Sequence, residues 1–145
     1  DDIQFKFDQE NLHKYLTAAA EYLNDEWDVL LLSGNNIHQQ SIFNSKHVNR
    51  LFRAQARTAY LVNSSYYDTL INNFENNIRE LAMRGPSSYK GTVADQPFGR
   101  GFAGDQYWKH LQPVDNWYIM TPKLCRQRKS YSNILDKMVD YGDSS

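Results

Sequence analysis

The chain has 145 residues, 41% of them hydrophobic and 23% charged, a composition typical of one soluble globular domain. Its formal net charge of −1 offers no general basic field, which argues against nucleic acid as a partner. No apolar run approaches the roughly 18 residues that a membrane-spanning helix needs, so no transmembrane segment is predicted. The single cysteine, Cys125, excludes an internal disulfide framework and a zinc site built from several cysteines. We interpret it as a small buried residue.

The first half of the chain alternates helical and strand patterns. Asp8 is the predicted N-cap of a helix over residues 9–24, in which apolar residues recur at spacings of three and four. The apolar run over residues 27–32 predicts a fully buried strand of a parallel or mixed sheet. Residues 35–46 are polar and are predicted to form a loop, whereas residues 47–62 are predicted to be extended.

A second helix and a long loop follow. Asn63 or Ser64 is the predicted cap of a helix over residues 65–82. The apolar face predicted for this helix consists of Tyr67, Leu70, Ile71, Phe74, Ile78 and Leu81. Residues 85–104 are rich in Gly, Pro and Ser and are predicted to form a mobile loop, because structureless segments of this length are usually functional or disordered.

The last third is predicted to return to regular structure. A short helix over residues 105–111 and a strand over residues 116–120 lead to a turn at Pro122. A final short helix is predicted over residues 134–140. The alternation of helices and strands along the whole chain predicts a single α/β domain over residues 1–145.

The chain opens on two adjacent carboxylates, Asp1 and Asp2. Such a pair at a strand end is a hard oxygen site that suits Mg²⁺ or Mn²⁺. A metal held there could bridge two phosphates and neutralise the charge of a leaving diphosphate. The alternative is that the two aspartates are solvated surface residues.

A carboxylate beside aromatic residues follows the long loop, at Asp105 to Trp108. This arrangement is a common way to hold a sugar, with Trp108 as a stacking face and Asp105 as a hydroxyl acceptor or general base. The alternative is that Asp105 caps a short helix and Trp108 belongs to the core. His110 could approach a bound metal, whereas His13 is interpreted as structural.

Cationic and hydroxyl side chains are concentrated near the C-terminal end. The residues of this cluster are Lys123, Arg126, Gln127, Arg128, Lys129, Ser130 and Ser132. Cations and hydroxyls within one loop suit a diphosphate or a polyhydroxylated ligand. The alternative is a solvated charged face.

The order of these segments resembles glycosyltransferase family 25, which includes bacterial lipooligosaccharide galactosyltransferases, collagen galactosyltransferase domains and relatives in large DNA viruses. Asp1-Asp2-Ile3 is similar to the tail of that family's acidic motif. Four further segments resemble its motifs in the same order: Trp27 to Gly34, Thr58 to Ser65, Asp105 to Trp108, and Trp117 to Ile134.

The resemblance covers nearly the whole chain and implies a GT-A-like mixed sheet flanked by helices. It also implies that the family's N-terminal nucleotide-binding half is not part of this chain. The chain would then correspond to the other half of the domain, which runs from the metal site to the acceptor site. One departure is Asn133, which stands where the closing motif often has Asp, so no carboxylate role is carried over to that position.

The activity that the resemblance implies is an inverting, metal-dependent transfer of galactose or glucose from a UDP-sugar to a hydroxyl of a glycan or glycoprotein acceptor. Asp1 and Asp2 would hold Mn²⁺ or Mg²⁺, and Asp105 would deprotonate the acceptor or bind the donor sugar. Trp108 would stack on a sugar. The phosphate or acceptor side would be lined by Arg126, Gln127, Ser130 and Ser132. The isolated chain is expected to be weakly active or inactive.

A second hypothesis is a non-catalytic glycan-binding or structural module derived from such an enzyme. It is motivated by ten tyrosines, three tryptophans and the loop over residues 85–104. The compartment stays open, because one unpaired cysteine fits a reducing cytosol without excluding a secretory lumen.

Overall fold

The computed structural model describes residues 3–55, 58–84, 104–132 and 137–140. Nine strands and three α-helices are defined in these ranges, with 3₁₀ turns at Ser64–Tyr66 and Trp108–His110. The helices are α1 (Gln9–Leu23), α2 (Tyr67–Arg84) and α3 (Gly104–Tyr107). The strands are β1 (Ile3–Phe5), β2 (Val29–Leu31), β3 (Asn35–Ser41), β4 (Val48–Gln55), β5 (Tyr60–Val62), β6 (Trp117–Met120), β7 (Cys125–Gln127), β8 (Ser130–Ser132) and β9 (Lys137–Val139).

A mixed five-stranded sheet with strand order β3-β4-β6-β2-β5 forms the centre of the fold. Strand β2 runs parallel to β6, with Leu31 opposite Ile119, and antiparallel to β5, with Leu31 opposite Tyr60. The α/β class and the mixed sheet are therefore confirmed. The predicted strands at 27–32 and 116–120 are also confirmed, since β2 and β6 lie within them.

Strand β2 is buried on both faces because its side chains alternate between two cores. Val29 and Leu31 belong to the core beneath α2 and α3. Leu30, with Leu32 just after the strand, belongs to the core beneath α1. This arrangement explains why the segment is an uninterrupted apolar run.

Helix α1 begins and ends as its sequence predicts. The Asp8 side chain accepts a hydrogen bond from the Asn11 backbone N–H at 2.8 Å, which satisfies one of the free donors of the first turn. The helix ends at Asn24, which takes the left-handed conformation with φ 41°. It buries Ala19 and Leu23 against the sheet.

Helix α2 follows the predicted Asn63 cap, and its predicted apolar face is confirmed only in part, because Leu70 is buried and Phe74 packs against the core. Tyr67, Ile71 and Ile78 are 53%, 54% and 64% exposed. Besides Leu70, the buried residues of α2 are Asn73 and Asn77, and Tyr66, just before the helix, is also buried. The Tyr66 hydroxyl donates to Asp115 Oδ2 at 2.5 Å and accepts from Trp117 Nε1 at 3.3 Å. These tertiary bonds anchor the residue that immediately precedes α2.

Two further predictions are wrong because strands form where apolar patterning is weak. Residues 35–46 were predicted as a loop, yet β3 occupies 35–41 at the edge of the sheet. An edge strand needs no regular apolar alternation. The final helix predicted over 134–140 is replaced, in the described part of that segment, by β9 (Lys137–Val139), which pairs antiparallel with β8.

The predicted mobile loop over 85–104 lies outside the described residues, except that Gly104 begins α3. Among the helices of the described ranges, none combines the length and hydrophobicity required to cross a membrane.

Candidate functional site

The turn that follows β2, Leu32-Ser33-Gly34, brings two parts of the chain together. On one side, the Leu124 N–H donates to the Leu32 carbonyl at 2.9 Å, and the side chains of Ser33 and Cys125 are hydrogen-bonded. The prediction that Cys125 is buried is confirmed, and burial raises the pKa of its thiol.

On the other side of the turn, Gly34 lies directly against the end of β4. A Cβ atom at Gly34 would lie 3.3 Å from both the Ala54 Cβ and the Gln55 carbonyl oxygen, so glycine allows this close approach. Ligands of α/β proteins commonly bind at the carboxyl ends of sheet strands, and this turn is the carboxyl end of β2.

The predicted cluster of cationic and hydroxyl residues near the C-terminal end is the first candidate that lies at this edge of the sheet. Strand β7 pairs antiparallel with β1, with Ile3 opposite Gln127 and Gln4 opposite Arg126. Arg126 is exposed, and its Nε donates to Gln4 Oε1 at 3.0 Å. The strand that follows directly after the Asp1-Asp2 pair therefore lies beside two of the predicted substrate-binding residues.

The second candidate is Asp105, which lies in the first turn of α3 and is half-buried. Gln55, the last residue of β4, donates from Nε2 to Gln106 Oε1 at 3.1 Å. The Gln106 amide in turn lies 3.5 Å from Asp105 Oδ2, a long and weak contact. Asp105 is thus linked to the Gly34 turn through two glutamines.

Lys109 adds a buried amine to the same cluster. Its Nζ donates to Gln106 Oε1 at 2.5 Å, and the side chain is almost wholly buried. Burial, reinforced by the positive charge of Arg53, lowers the pKa of Lys109 from 10.5 to about 8, while the charge of Asp105 opposes this shift. Lys109 could not be identified from sequence, since a single lysine in a short helix has no distinguishing pattern.

This depressed pKa makes the stability of the fold depend on pH. Between pH 8 and 10.5 the unfolded lysine carries a proton that the folded one has lost, so stability rises with pH across that window. We therefore expect the free energy of unfolding of the parent protein to rise relative to that of Lys109→Met by about 1–3 kcal/mol between pH 7.5 and 10. Urea unfolding of both proteins at several pH values measures this change. A difference that stays constant with pH would show that burial does not perturb Lys109.

Trp108 was predicted to offer a stacking face, and that prediction is wrong. The side chain is completely buried and its ring packs edge-on against Tyr60 and Trp117, with centroids 5.2 Å and 5.1 Å away. A ring with no exposed surface cannot stack on a ligand. The alternative that assigned Trp108 to the core is confirmed.

The remaining predicted residues are distributed as follows. Ser130 and Ser132 lie in β8, opposite Val139 and Lys137 of β9, so this part of the predicted loop is a strand. Asp1 and Asp2 precede the described residues, and their proposed role as metal ligands stays a prediction. Nowhere in the described ranges do three or more His, Cys, Asp or Glu side chains meet as a metal site would require.

A separate cleft of about 280 Å³ lies between α2 and the end of α3 with the residues that follow it. It is lined by Thr69, Asn72, Asn73 and Asn76 on one side and by Tyr107, His110 and Leu111 on the other. His110 Nδ1 lies 2.6 Å from the Tyr107 carbonyl oxygen, which orients the imidazole. Sequence reasoning missed this cleft, although the Asn-Asn pairs at 72–73 and 76–77, one helical turn apart, were a visible signal.

Asn73 is the unusual member of this cleft. Only 6% of its surface is exposed, yet among the described residues neither its Oδ1 nor its Nδ2 has a hydrogen-bond partner. Buried amides are nearly always paired, because an unpaired polar atom costs about 1–3 kcal/mol.

Comparison with protein-family models, with curated proteins and with solved structures gives no match for this chain. Its function therefore has to be inferred from its own residues and their geometry.

Proposed function

We propose that this chain is the metal-to-acceptor part of a GT-A-like hexosyltransferase that moves galactose or glucose from a UDP-sugar to an acceptor hydroxyl. The observation that carries the proposal is the convergence at the carboxyl end of β2. The strand after Asp1-Asp2 pairs with the strand of Arg126 and Gln127, and β7 adjoins Ser33 through Cys125. Asp105 connects to Gly34 through Gln106 and Gln55.

In this proposal each residue has one task. Asp105 accepts the proton of the acceptor hydroxyl as that hydroxyl attacks the anomeric carbon, while the bond from that carbon to the diphosphate oxygen breaks and UDP leaves with the bonding electrons. Arg126, held from one side by Gln4, donates to the phosphate oxygens of the donor. Gln127 supplies a neutral amide on the same strand. Ser130 and Ser132 stand further along the chain as hydroxyl donors.

The implied metal would be held by Asp1 and Asp2, whose carboxylate oxygens suit Mn²⁺ or Mg²⁺. When bound, such an ion neutralises charge on a leaving diphosphate. The residues of this chain contribute mainly by holding donor and acceptor in line and by offering preorganised charges.

The test is UDP release by the full product of the coding region, with Mn²⁺ or Mg²⁺ and a panel of UDP-sugars. Asp105→Asn keeps the shape of the side chain but removes the base, so we expect transfer to fall by a factor of about 10²–10⁴. Binding of UDP, measured by calorimetry, should stay within about twofold of the parent, because Asp105 faces the acceptor rather than the nucleotide.

Asp68→Asn is the matched control, because Asp68 occupies the first turn of α2 and is exposed. It should leave both transfer and UDP binding unchanged. Turnover by Asp105→Asn at the rate of the control would overturn the assignment of the base. Absence of turnover with every UDP-sugar, in a folded parent protein, would overturn the proposal itself.

A second candidate is a non-catalytic glycan-binding module. The cleft beside α2 favours it, because its described lining includes three asparagines and a threonine, and such polar groups can hold a sugar without nucleotide or metal. Glycan binding without any UDP binding in the full-length protein would favour this candidate over the transferase.

A further inference from the structure

We infer that the outer edge of β5, together with an apolar pocket beside it, is a docking site for an extended peptide segment of a partner protein, in which one large apolar side chain is flanked by basic residues. The segment would add a strand to the central sheet. This inference does not depend on the proposed function, because docking of a peptide requires neither nucleotide nor metal.

The first argument is the direction of the backbone groups of β5, which is the last strand of the central sheet in the described part of the chain. The residues that flank β5, Ala59 and Asn63, both bond to residues that adjoin β2, through backbone hydrogen bonds of 3.0 Å and 2.9 Å. Bonded and non-bonded pairs alternate in an antiparallel ladder, so Leu61 bonds to β2, whereas Tyr60 and Val62 direct their N–H and C=O groups outward. Such an edge is a template for an added strand.

The second argument is an apolar pocket of about 290 Å³ on the α1 side of this edge. The described residues that line it come from α1, the turn after it, β2 and β5, and they are Leu16, Thr17, Ala20, Leu23, Trp27, Leu30 and Leu61. Only Thr17 in this set is polar. Pockets for drug-sized ligands span about 300–1,000 Å³, so a pocket just below that range suits one large apolar side chain.

Leu61 connects the pocket to the strand edge. Its backbone belongs to β5, and its side chain lines the pocket while 42% of the residue stays exposed. Directly opposite residues of neighbouring strands point to the same face of a sheet. The residue of an added strand that lies opposite Leu61 would therefore direct its side chain to the pocket.

The third argument is charge, which selects among extended peptides. Residues 15–45, which supply six of the seven residues named above, contain four acids and neither lysine nor arginine. The acids are Glu21, Asp25, Glu26 and Asp28. Glu21 directly follows Ala20 and Glu26 directly precedes Trp27, and both acids are exposed. Carboxylates placed around an apolar pocket favour a basic partner over an acidic one.

The probe is the synthetic peptide acetyl-Thr-Lys-Thr-Leu-Thr-Lys-Thr-amide, titrated into the isotope-labelled chain without nucleotide or metal and followed by NMR. Its sequence reads the same in both directions, so either strand orientation presents the leucine with a lysine two positions away on the same face. We expect saturable shifts of the amide resonances of β5 and of the Trp27 indole N–H, with Kd on the order of 0.1–1 mM.

Two altered peptides test the chemistry of the partner. Replacing the central leucine with serine should weaken binding at least about tenfold, because the pocket then receives no apolar side chain. Replacing both lysines with glutamate should weaken binding severalfold, and raising the salt concentration should reduce the advantage of the lysine peptide.

Two variants of the chain test the site, with Phe43→Ala as the control. Ala20→Phe fills the pocket from an exposed position of α1 and should weaken binding at least about tenfold. Val62→Pro removes an outward N–H but no bond to β2, so it should leave Tm within about 3 °C and weaken binding by about tenfold. Phe43 is 86% exposed and follows β3, at the opposite edge of the sheet, so its loss should leave Kd within about twofold.

The inference is overturned if the resonances of β5 do not shift, if the glutamate peptide binds as well as the lysine peptide, or if Ala20→Phe and Val62→Pro bind like Phe43→Ala. A concentration-dependent dimer of the parent chain that Val62→Pro abolishes would show that a second copy occupies this edge, and would also overturn it. Sugar transfer is measured separately by UDP release, so failure of peptide binding leaves the proposed function standing.

Discussion

Replacing Trp108 with alanine is expected to lower the free energy of unfolding by about 3–5 kcal/mol. The side chain has no exposed surface and lies in the core formed by Leu31, Leu51 and Trp117. Its ring meets Tyr60 and Trp117 at interplanar angles of 77° and 85°, the edge-to-face geometry that aromatic pairs prefer. Alanine would leave a cavity at the centre of this cluster. Urea unfolding followed by circular dichroism measures the loss.

Two further substitutions separate a core role from a surface role. Trp108→Phe keeps most of the ring contacts and should cost only about 1–2 kcal/mol. Phe43→Ala, at a position that is 86% exposed, should change stability by less than about 0.5 kcal/mol. If Trp108→Ala were as mild as Phe43→Ala, the tryptophan would lie at the surface, and a stacking role would again be open.

Replacing Arg50 with methionine is expected to lower the free energy of unfolding by roughly 3 kcal/mol. Its Nη1 donates to the carbonyl oxygens of Trp117 at 2.6 Å, Leu51 at 2.9 Å and Gln112 at 3.2 Å. Its Nη2 donates to the Asp115 carbonyl at 2.6 Å. The guanidinium thus connects β4 to the loop that enters β6, and its removal would take one donor from each of these carbonyls.

The geometry of the guanidinium is as important as its charge. Its Cζ lies 5.4 Å from the Phe52 ring centroid and 5.6 Å from that of Tyr118, so it also makes cation–π contacts. Arg50→Lys keeps the charge but not the planar fork and should recover only part of the loss. Arg79→Met, which breaks an exposed pair with Glu75, should cost less than about 1 kcal/mol. Equal effects at Arg50 and Arg79 would contradict this role.

The candidate site shows what local patterns can and cannot reveal. Asp105 and Arg126 were identified from residue type and neighbours alone, and each has a defined position in the fold. Their connection to one sheet edge could not be predicted, because it depends on the β1–β7 pairing and on the contact between Gly34 and the end of β4. Lys109 could not be identified either, since its lowered pKa comes from burial and from Arg53.

The elements that could be predicted correctly are those whose stabilising interactions are local or strongly patterned. Asp8 and the periodic apolar residues after it specify α1, and the uninterrupted apolar run specifies a strand buried on both faces. The cap at Asn63 likewise specified where the second helical segment begins.

Contacts between distant parts of the chain account for which side chains of α2 are buried and for the pairing of the edge strand β3. Tyr66, which precedes α2, is bonded to Asp115 and Trp117, and in the helix that follows Asn73 faces inward and Ile71 faces solvent, against the apolar pattern of the helix. Strand β3 forms because β4 offers it backbone partners, although its own residues are polar. In both cases interactions between residues distant in sequence outweigh local preference, and such interactions leave no periodic trace in the chain.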